Sequence, residues 1–315
     1  MQQLKGQAIT PCLKEAMVYL SQSELYTEAP AVLKLLTGVE QSQATFWRLA
    51  QDCGQQLEPL LAEATVEEPL AQEQIVYCMA DGSLLSTDDG WQEVKVGRVF
   101  SELPRQGELP DRPLLATSHY VAHLGHHQDF ATKMDAVVKG YQALGKRVVC
   151  LGDGAIWLKH YWQQSLPQAQ LILDFWHVID KLAGLAQKAI PDELPRRLWL
   201  QHLRILLRES ELEQVKQQVT ALAESQPTLQ ETVEKVVQYL DNNAFRMDYK
   251  TYLQQGLRIG SGAMEAAHRT LIQCRMKRSG QRWSDRGAQN LLNLRVAYKS
   301  GKAHLVRQII TGLAA

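Results

Sequence analysis

The spacing of apolar residues changes twice along the chain, from a helical period to a strand period and back. Up to about Leu70, apolar residues recur every three to four positions, which predicts helices; Gly38 is a predicted helix stop and Ser42 a predicted N-cap. Two helices around a glycine-containing turn outline a helix-turn-helix, although an ordinary helical hairpin has the same pattern. Residues 1–70 are therefore predicted to be a helical region and a candidate DNA-binding region.

Strand patterns follow from residue 71 to residue 177. The predicted strands are QIVYCMADG, WQEVKVGRVF, RPLLATSHYVAHL, KRVVCLGDG and AQLILDF, and the predicted helices DFATKMDAVVKGYQALG and AIWLKHYWQQ come before and after the fourth strand. Three strands, a helix, a strand, a helix and a strand is the order of an RNase H-like core. The predicted fold class is α/β, with a mixed sheet.

The helical period returns over residues 178–257. RRLWLQHLRILLRESELEQVKQQVTALAE and TVEKVVQYLDN have a clear 3.6-residue period, which predicts an all-helical insertion into the core. Residues 258–315 are predicted to complete the core, first with a helix that starts near Ser261 and then with basic C-terminal helices.

Charge is distributed unevenly, although the 34 Lys and Arg residues balance the 34 Asp and Glu residues. From Ala266 to the C-terminus there are ten Lys or Arg and one acid, whereas Gln51 to Pro110 has twelve acids and three Lys or Arg. Such asymmetry indicates a polyanion-binding face at one end of the chain, or else solvated charged helices. The five cysteines form no CxxC pair, which argues against a zinc ribbon and a disulfide framework.

Three acids stand at predicted element ends. Asp81 and Asp153 each end a predicted strand, and Glu265 lies in the first turns of the helix opened by IGSG. Converging carboxylates are what two-metal phosphodiester cleavage requires, and hard oxygen ligands suit Mg²⁺ or Mn²⁺. The alternatives are that the two Asp-Gly pairs form turns and that Glu265 stabilises a helix N-terminus.

Two histidine-containing segments are further candidates. LDFWHV holds Asp174 and His177 at a predicted strand-to-helix junction, where Asp174 is otherwise a plain N-cap. The run HYVAHLGHH is a candidate zinc site, but an exposed strand and loop is the favoured interpretation; its histidines are His119, His123, His126 and His127.

The C-terminal segment RTLIQCRMKRSGQRWSDRGAQNLLNLRVAYKSGK combines basic and aromatic residues with a leucine stripe. Lys and Arg neutralise phosphates, and an aromatic ring can stack on a base. One face can pack into the core while the other meets DNA. The predicted DNA-binding residues are Arg275, Lys277, Arg278, Arg282 and Trp283.

The chain resembles bacterial insertion-sequence DDE transposases that are distantly related to the Mutator-like transposases. The resemblance runs from about Leu20 to Lys302, and it is carried by ADG…GWQEVKVGRVF, GDGAIWL, LILDFWHVIDKL and the segment from YLDNNAFRMDY through RIGSGAMEAAHR to NLLNLR. It implies that Asp81, Asp153 and Glu265 are catalytic metal ligands for two Mg²⁺ or Mn²⁺ ions. It also implies a supporting role for Asp174 and His177.

The resemblance implies a DNA transposase that cleaves and joins strands at insertion-sequence ends, with element ends and target DNA as partners. The expected assembly is a homodimer or higher oligomer on DNA. Because no apolar window is long enough for a membrane helix and the N-terminus lacks a signal core, we expect a cytoplasmic, nucleoid-associated protein. The alternatives are an RNase H-like nuclease or resolvase, and a non-catalytic, domesticated DNA-binding remnant.

One expectation is geometric. If Asp81, Asp153 and Glu265 hold two ions together, their carboxyl groups lie within roughly 4–8 Å of one another. If the acids belong to unrelated turns and a helix start, they lie far apart.

Overall fold

The computed structural model describes residues 9–63, 75–102 and 115–312. The chain divides into two compact units, the first formed by Met1–Val76, Asp81–Lys146 and Ala263–Ala315, and the second by Tyr77–Ala80 and Arg147–Gly262. This division differs from the four consecutive regions predicted from the sequence. The N-terminal and C-terminal helices share one unit, and the helical insertion shares the other with two strands.

A five-stranded mixed sheet contains all the predicted strands. Its strands are β1 (Ile75–Thr87), β2 (Gly90–Glu102), β3 (Leu115–Leu124), β4 (Arg147–Gly152) and β5 (Gln170–Leu173), in the order β3-β2-β1-β4-β5. The β2–β3 pair is antiparallel and the β4–β5 pair is parallel. The predicted α/β class with a mixed sheet is therefore confirmed. The start of the third predicted strand, at residues 112–114, lies outside the described residues.

The first strand is longer than predicted. Residues Asp81 and Gly82 lie inside β1, which continues to Thr87, so Asp81 does not end the strand and Asp81-Gly82 is not a turn. The turn comes instead before Gly90, whose φ of 106° favours glycine. The sequence interpretation was wrong here because Asp-Gly is a frequent turn pair, while the polar stretch after it is held in the sheet by tertiary pairing.

Three helices form the N-terminal part of the first unit: α1 (Pro11–Ser23), α2 (Ala29–Thr37) and α3 (Gln43–Glu63). Both local predictions hold: Gly38 ends α2 in the left-handed conformation, and the Ser42 hydroxyl accepts the Thr45 N–H. The exposed charged residues of α3 are Arg48, Asp52, Glu58 and Glu63, so the helix presents no net positive charge. The helix-turn-helix stays a prediction. Residues 64–70 of the predicted helical region lie outside the described residues.

The remaining helices of the first unit are α4 (His127–Ala143), α11 (Gly262–His268), α12 (Cys274–Met276), α13 (Asp285–Lys299) and α14 (Ala303–Thr311), with a π-helical segment at Arg269–Gln273. Most of α13 is buried against α3. At the crossing of these two helices, a Cβ on Gly54 would come within 2.2 Å of the Asn290 backbone oxygen. Gly54 therefore permits a close helix contact that no larger residue allows.

The second unit contains α5 (Ile156–Ser165), which was predicted as a core helix, and the helices predicted as the insertion. The latter are α6 (Phe175–Ala189), α7 (Glu193–Arg208), α8 (Leu212–Ser225), α9 (Gln230–Asn243) and α10 (Tyr249–Gln254). Amphipathic periodicity determines which side of each helix is buried: α7, for example, buries Leu203, Leu206 and Leu207. None of the helices in the described parts of the chain has the length and apolar character needed to cross a membrane.

Candidate active site

Asp81 projects from the middle of β1 with 44% of its side chain exposed. Its Oδ1 accepts the Gly82 N–H at 2.7 Å, and its Oδ2 lies 3.0 Å from the Nε2 of His268. A Cβ on Gly82 would meet the Glu93 carboxylate at 1.8 Å, so a larger residue here would require the Glu93 side chain to move. Both oxygens of Asp81 are therefore fixed in direction while the carboxylate remains open to solvent.

Helix α11 carries Glu265 and His268 one turn apart, with Glu265 exposed and His268 buried. Because His268 contacts Asp81, the structure brings Asp81 into the neighbourhood of Glu265, although 184 positions separate them in the sequence. The first turn of α11 is held to the sheet by Arg98 of β2, whose Nη1 donates to the Ala263 carbonyl at 2.8 Å.

Arg98 is itself fixed within the sheet. Its Nε and Nη2 donate to the Ser118 hydroxyl at 3.2 and 2.8 Å, and its guanidinium lies 5.2 Å from the ring centroids of both Phe100 and Tyr120. Burial lowers the pKa of Arg98 from its ordinary value. Arg98, which anchors α11, is therefore a buried cation held by hydrogen-bond acceptors and by two aromatic rings.

An open cleft of about 370 Å³ lies between β1 and the helical segment that starts with α11. Its lining residues are Gly82, Ser83, Glu265, His268, Arg269 and Gln273. The π-helical segment widens the helix by one residue per turn, which lets Gln273 line the same cleft as Glu265. The cleft is thus lined by the carboxylate of Glu265, the guanidinium of Arg269, the amide of Gln273 and the hydroxyl of Ser83. This combination can bind a phosphate group beside a carboxylate-held cation.

Asp153 belongs to the second unit and directly follows β4. Its Oδ1 accepts the Ala155 N–H at 3.0 Å, so it forms the local turn that was the alternative interpretation. In the parallel β4–β5 pair, Gly152 is opposite Leu173, and therefore Asp153 and Asp174 follow matching ends of neighbouring strands. A Cβ on Gly154 would come within 2.4 Å of the Tyr239 ring, so α9 packs closely over this end of the strands.

The pKa of Tyr239 is shifted by the charges at this end of β4 and β5. Burial raises the pKa of its hydroxyl to about 12, and the charges of Asp153 and Asp174 add to the rise while Arg246 opposes it. Tyr239 is therefore neutral, and it lies close enough to both carboxylates to feel their charge.

Asp174 is buried at the N-terminus of α6, where it joins two distant motifs. Its Oδ1 accepts the Trp176 N–H at 2.7 Å, and its Oδ2 accepts the Ser261 N–H at 3.1 Å, accepts the Ser261 hydroxyl and lies 3.3 Å from the His177 Nδ1. The Phe175 N–H donates to the Ile259 carbonyl at 2.8 Å in the same place. We call this arrangement the Asp174–Ser261 junction.

The junction holds the carboxyl of Asp174 in its charged form. Burial raises its pKa, but hydrogen bonds from His177, Ser261 and the Trp176 N–H outweigh burial and leave the pKa below its usual value. The predicted N-cap role of Asp174 is confirmed. Its bonds to Ser261 tie the start of α6 to the residue that directly precedes α11.

The donor chemistry of the three predicted acids suits a hard divalent cation. Asp81 and Glu265 offer carboxylate oxygens that solvent can reach, and Asp153 is only partly buried. Within residues 9–63, 75–102 and 115–312, no group of three or more His, Cys, Asp or Glu side chains is arranged to hold a metal ion. The distance of roughly 4–8 Å expected among the three carboxyl groups stays a prediction.

Two of the predicted DNA-binding residues are interior residues. Arg275 is 1% exposed, donates to the Ser21 carbonyl and lies between the rings of Tyr26 and Trp283. Trp283 is also buried, and its Nε1 donates to the Met276 carbonyl. These positions contradict the predicted contacts with phosphate and base. The sequence interpretation failed because an arginine that packs on aromatic rings is indistinguishable in sequence from one that faces solvent.

The other three predicted DNA-binding residues are exposed: Lys277, Arg278 and Arg282. Lys277 Nζ donates to the Ser83 hydroxyl at 2.7 Å, which places this lysine beside the cleft. Arg282 donates to the Thr87 and Asp88 carbonyls across the end of β1. These cations are thus available at the surface of the first unit.

The histidine run does not form an exposed strand throughout. His119 is buried, 6% exposed, against Tyr141, whereas His123 lies 3.4 Å from Lys133 and 3.6 Å from Asp129. No zinc-like set of side chains occurs here among the described residues. The expectation of exposure is wrong for His119 because this part of β3 is covered on both faces: residues 119–122 are all buried.

The burial of His119 predicts a pH-dependent stability. Burial, and secondarily Lys302, lowers its pKa from 6.5 to about 4, so between these values the unfolded chain binds more protons than the folded protein. The free energy of unfolding should therefore fall by up to about 3 kcal/mol as the pH drops from 6.5 to 4. Denaturant titrations of wild type and His119→Leu at pH 7.5 and 4.5 measure this effect. Equal losses in both proteins would rule out His119 as the source.

Sequence reasoning missed three residues that organise this region: Arg98, Ser261 and His268. His268 carried a usable signal, because it stands one helical turn after Glu265 and so had to share its face. Ser261 lay inside the GSG motif but had no visible partner. Arg98 looked like an ordinary strand residue, because its acceptors come from elements far along the chain.

Comparison with known protein families gives one match for this chain. The model of an uncharacterised protein family, UPF0236, matches residues 1–309, which is nearly the whole chain. No curated protein matches it.

Proposed function

This chain belongs to the uncharacterised protein family UPF0236, and we propose that it is a DNA transposase that cleaves strands at element ends and joins them to target DNA. We further propose that its mixed α/β core is RNase H-like. The observation that carries the proposal is the contact between Asp81 and His268, which draws a strand acid towards the helix acid Glu265 beside a polar cleft. The motif order of the sequence supports the same activity.

In this proposal Asp81, Asp153 and Glu265 hold two Mg²⁺ or Mn²⁺ ions. Bound at such carboxylates, these ions activate a water or hydroxyl nucleophile and neutralise charge on the scissile phosphate. His268 and the Gly82 N–H orient the Asp81 carboxylate so that its free lone pairs face solvent. Asp174 accepts the Ser261 N–H, and Ser261 directly precedes the helix that carries Glu265.

Other residues of the cleft are proposed to position DNA. Arg269 and Gln273 can donate hydrogen bonds to phosphate oxygens next to Glu265, and Lys277 adds positive charge at the same helix face. Partners are element ends and target DNA, bound by a dimer or a larger assembly, and the place of action is the nucleoid. These partners follow from the proposed reaction.

The proposal is tested with labelled DNA that carries the flanking sequences of the gene, Mg²⁺ and a supercoiled target. A transposase gives both cleaved ends and joined products, and both disappear with EDTA. Cleavage without joining would identify a nuclease or resolvase. Binding without either product, at any divalent ion tested, would identify a non-catalytic DNA-binding protein.

The exposed C-terminal cations predict a change in salt dependence. Replacing Lys277, Arg278 and Arg282 with Gln should weaken binding to all DNA sequences, because each lost phosphate contact lowers the log–log salt slope by about 0.9 on duplex DNA. Three contacts give a decrease of at most about 2.7. Anisotropy titrations with duplex DNA from low to moderate salt measure the slope.

The matched control replaces three exposed cations outside this surface and outside the candidate helix-turn-helix, namely Lys139, Lys235 and Arg307, with Gln. Each pairs with a carboxylate, as Arg278 and Arg282 of the first variant also do. It changes the net charge equally. A slope that falls as much in the control as in the first variant would show that total charge, and not the C-terminal surface, determines binding.

A further inference from the structure

The exposed face of α7 divides lengthwise into a basic and an apolar half. Arg197, Arg204 and Arg208 share one flank at seven- and four-residue spacing, and they are exposed. Leu194, Leu198 and Ile205 are exposed along the adjoining flank. We call the first flank the arginine line.

The arginine line is not neutralised by carboxylates. Within the described residues, no ion pair joins Arg197, Arg204 or Arg208 to an acid, although Glu193 stands one turn before Arg197. Lysines of the neighbouring helices behave differently, both the exposed Lys235 and Lys250 and the partly buried Lys216. Lys216, Lys235 and Lys250 each pair with a carboxylate at 2.5–3.0 Å. Three unpaired cations in a row favour an anionic partner with repeated charges.

An exposed tryptophan lies on the arginine side of the face. Trp176 is 49% exposed, and the Arg204 guanidinium is 5.8 Å from its ring centroid. The edge of Phe175 packs against the ring, and a Cβ on Gly260 would come within 2.8 Å of it. Arg208 lies 5.6 Å from the Phe175 ring and continues the same surface. The indole is therefore held from two sides while about half of it faces solvent.

Resting on the proposed function, we propose that the arginine line and Trp176 bind an unpaired DNA strand, with phosphates on the arginines and a base stacked on the indole. Unpaired bases expose the ring faces that stack on aromatic side chains, whereas the bases of an intact duplex are already stacked. Guanidinium groups bind phosphate with oriented pairs of hydrogen bonds. The apolar flank alone would suit a protein partner, but the tryptophan lies beside the cations.

The test uses the full chain in EDTA, so that binding is measured without cleavage. Two fluorescent probes share one sequence: a blunt duplex, and the same duplex with a short single-stranded 3′ overhang. Replacing Arg197, Arg204 and Arg208 with Gln should lower the log–log salt slope measured with the overhang probe by about 2, at about 0.7 for each phosphate of a single strand. The equal-charge control replaces Lys216, Lys235 and Lys250 with Gln and should leave the slope near that of wild type.

Trp176 is tested against another exposed aromatic residue of the second unit. Trp176→Ala should raise the Kd for the overhang probe at least about 5-fold and the Kd for the blunt probe much less, because only the overhang offers a base to stack. Trp176→Phe should restore most of the affinity. Phe245→Ala, which removes an aromatic ring that is 54% exposed, should change neither Kd. Circular dichroism establishes that each variant is folded.

Three results would overturn the inference. They are equal slope changes in the arginine and lysine variants, equal losses on both probes with Trp176→Ala, and tighter binding of an RNA strand that depends on the same residues. A change of oligomeric state in sedimentation velocity without a change in DNA affinity would assign the face to a second copy of the chain. If strand cleavage is never observed but these binding results hold, the proposed reaction fails and the DNA surface stands.

Discussion

Replacing Asp81 or Asp153 with Asn, or Glu265 with Gln, is expected to reduce strand cleavage by about 10⁴-fold or more. Each change removes a charged metal ligand with almost no change in side-chain volume, so the fold should survive. If the three acids act as one metal-binding unit, a double variant should be no worse than either single variant. Cleavage of labelled end DNA under single-turnover conditions measures the loss.

Exposed acids elsewhere supply the control. Asp89→Asn, Asp180→Asn and Glu224→Gln make the same chemical changes at exposed positions and should cleave like wild type. DNA affinity in EDTA should be retained in all six single variants. An Asp81, Asp153 or Glu265 variant that cleaves at a near wild-type rate would remove that acid from the active site.

Replacing Asp174 with Ala is expected to lower the free energy of unfolding by about 3 kcal/mol, because buried hydrogen-bond donors of Trp176 and Ser261 lose a charged acceptor. Asp174→Asn should cost less, since its carbonyl oxygen can still accept. Urea titrations measure both values. Asp180→Ala, on the exposed side of the same helix, should change stability by no more than about 0.5 kcal/mol.

A double-mutant cycle separates the junction from general packing. Asp174→Ala and Ser261→Ala should show an interaction energy of about 1 kcal/mol or more, because they remove the same hydrogen bonds. Additive losses would mean that Asp174 acts only as the N-cap of α6. The junction also has a pH dependence: since the folded pKa of Asp174 is lowered, its stabilisation is present above the unfolded value near 3.9 and is lost as the pH falls through the folded value.

The candidate site was only partly predictable from its sequence. Asp153, Asp174 and Glu265 were recognised as acids at or near element ends, because these strand and helix boundaries follow from local patterns, whereas Asp81 was placed at a strand end but lies inside β1. Their partners were not recognised. Ser261 is 87 positions from Asp174, and His268 is 187 positions from Asp81, so no local pattern connects them.

In the C-terminal segment, the sequence interpretation overestimated how many basic residues lie on the surface. Its basic residues were treated as one surface, yet Arg275 and Arg295 are buried, and Arg295 donates to the carbonyls of Leu271, Thr270 and Gln22. Burial is tolerable because these acceptors and nearby rings replace water around the guanidinium groups. Composition records that a charge is present, whereas the surrounding acceptors decide whether it can be buried.

The sequence by itself determined the strands, the order of the helices, the caps at Gly38 and Ser42, and the α/β class, because short-range periodicity and backbone preference govern these features. The tertiary structure alone decided that β1 continues through Asp81, that α13 lies in the core, and that the arginine line of α7 stands beside Trp176. These features depend on contacts between residues far apart in the chain. Their free energy comes from packing and from hydrogen bonds whose partners are not neighbours in sequence.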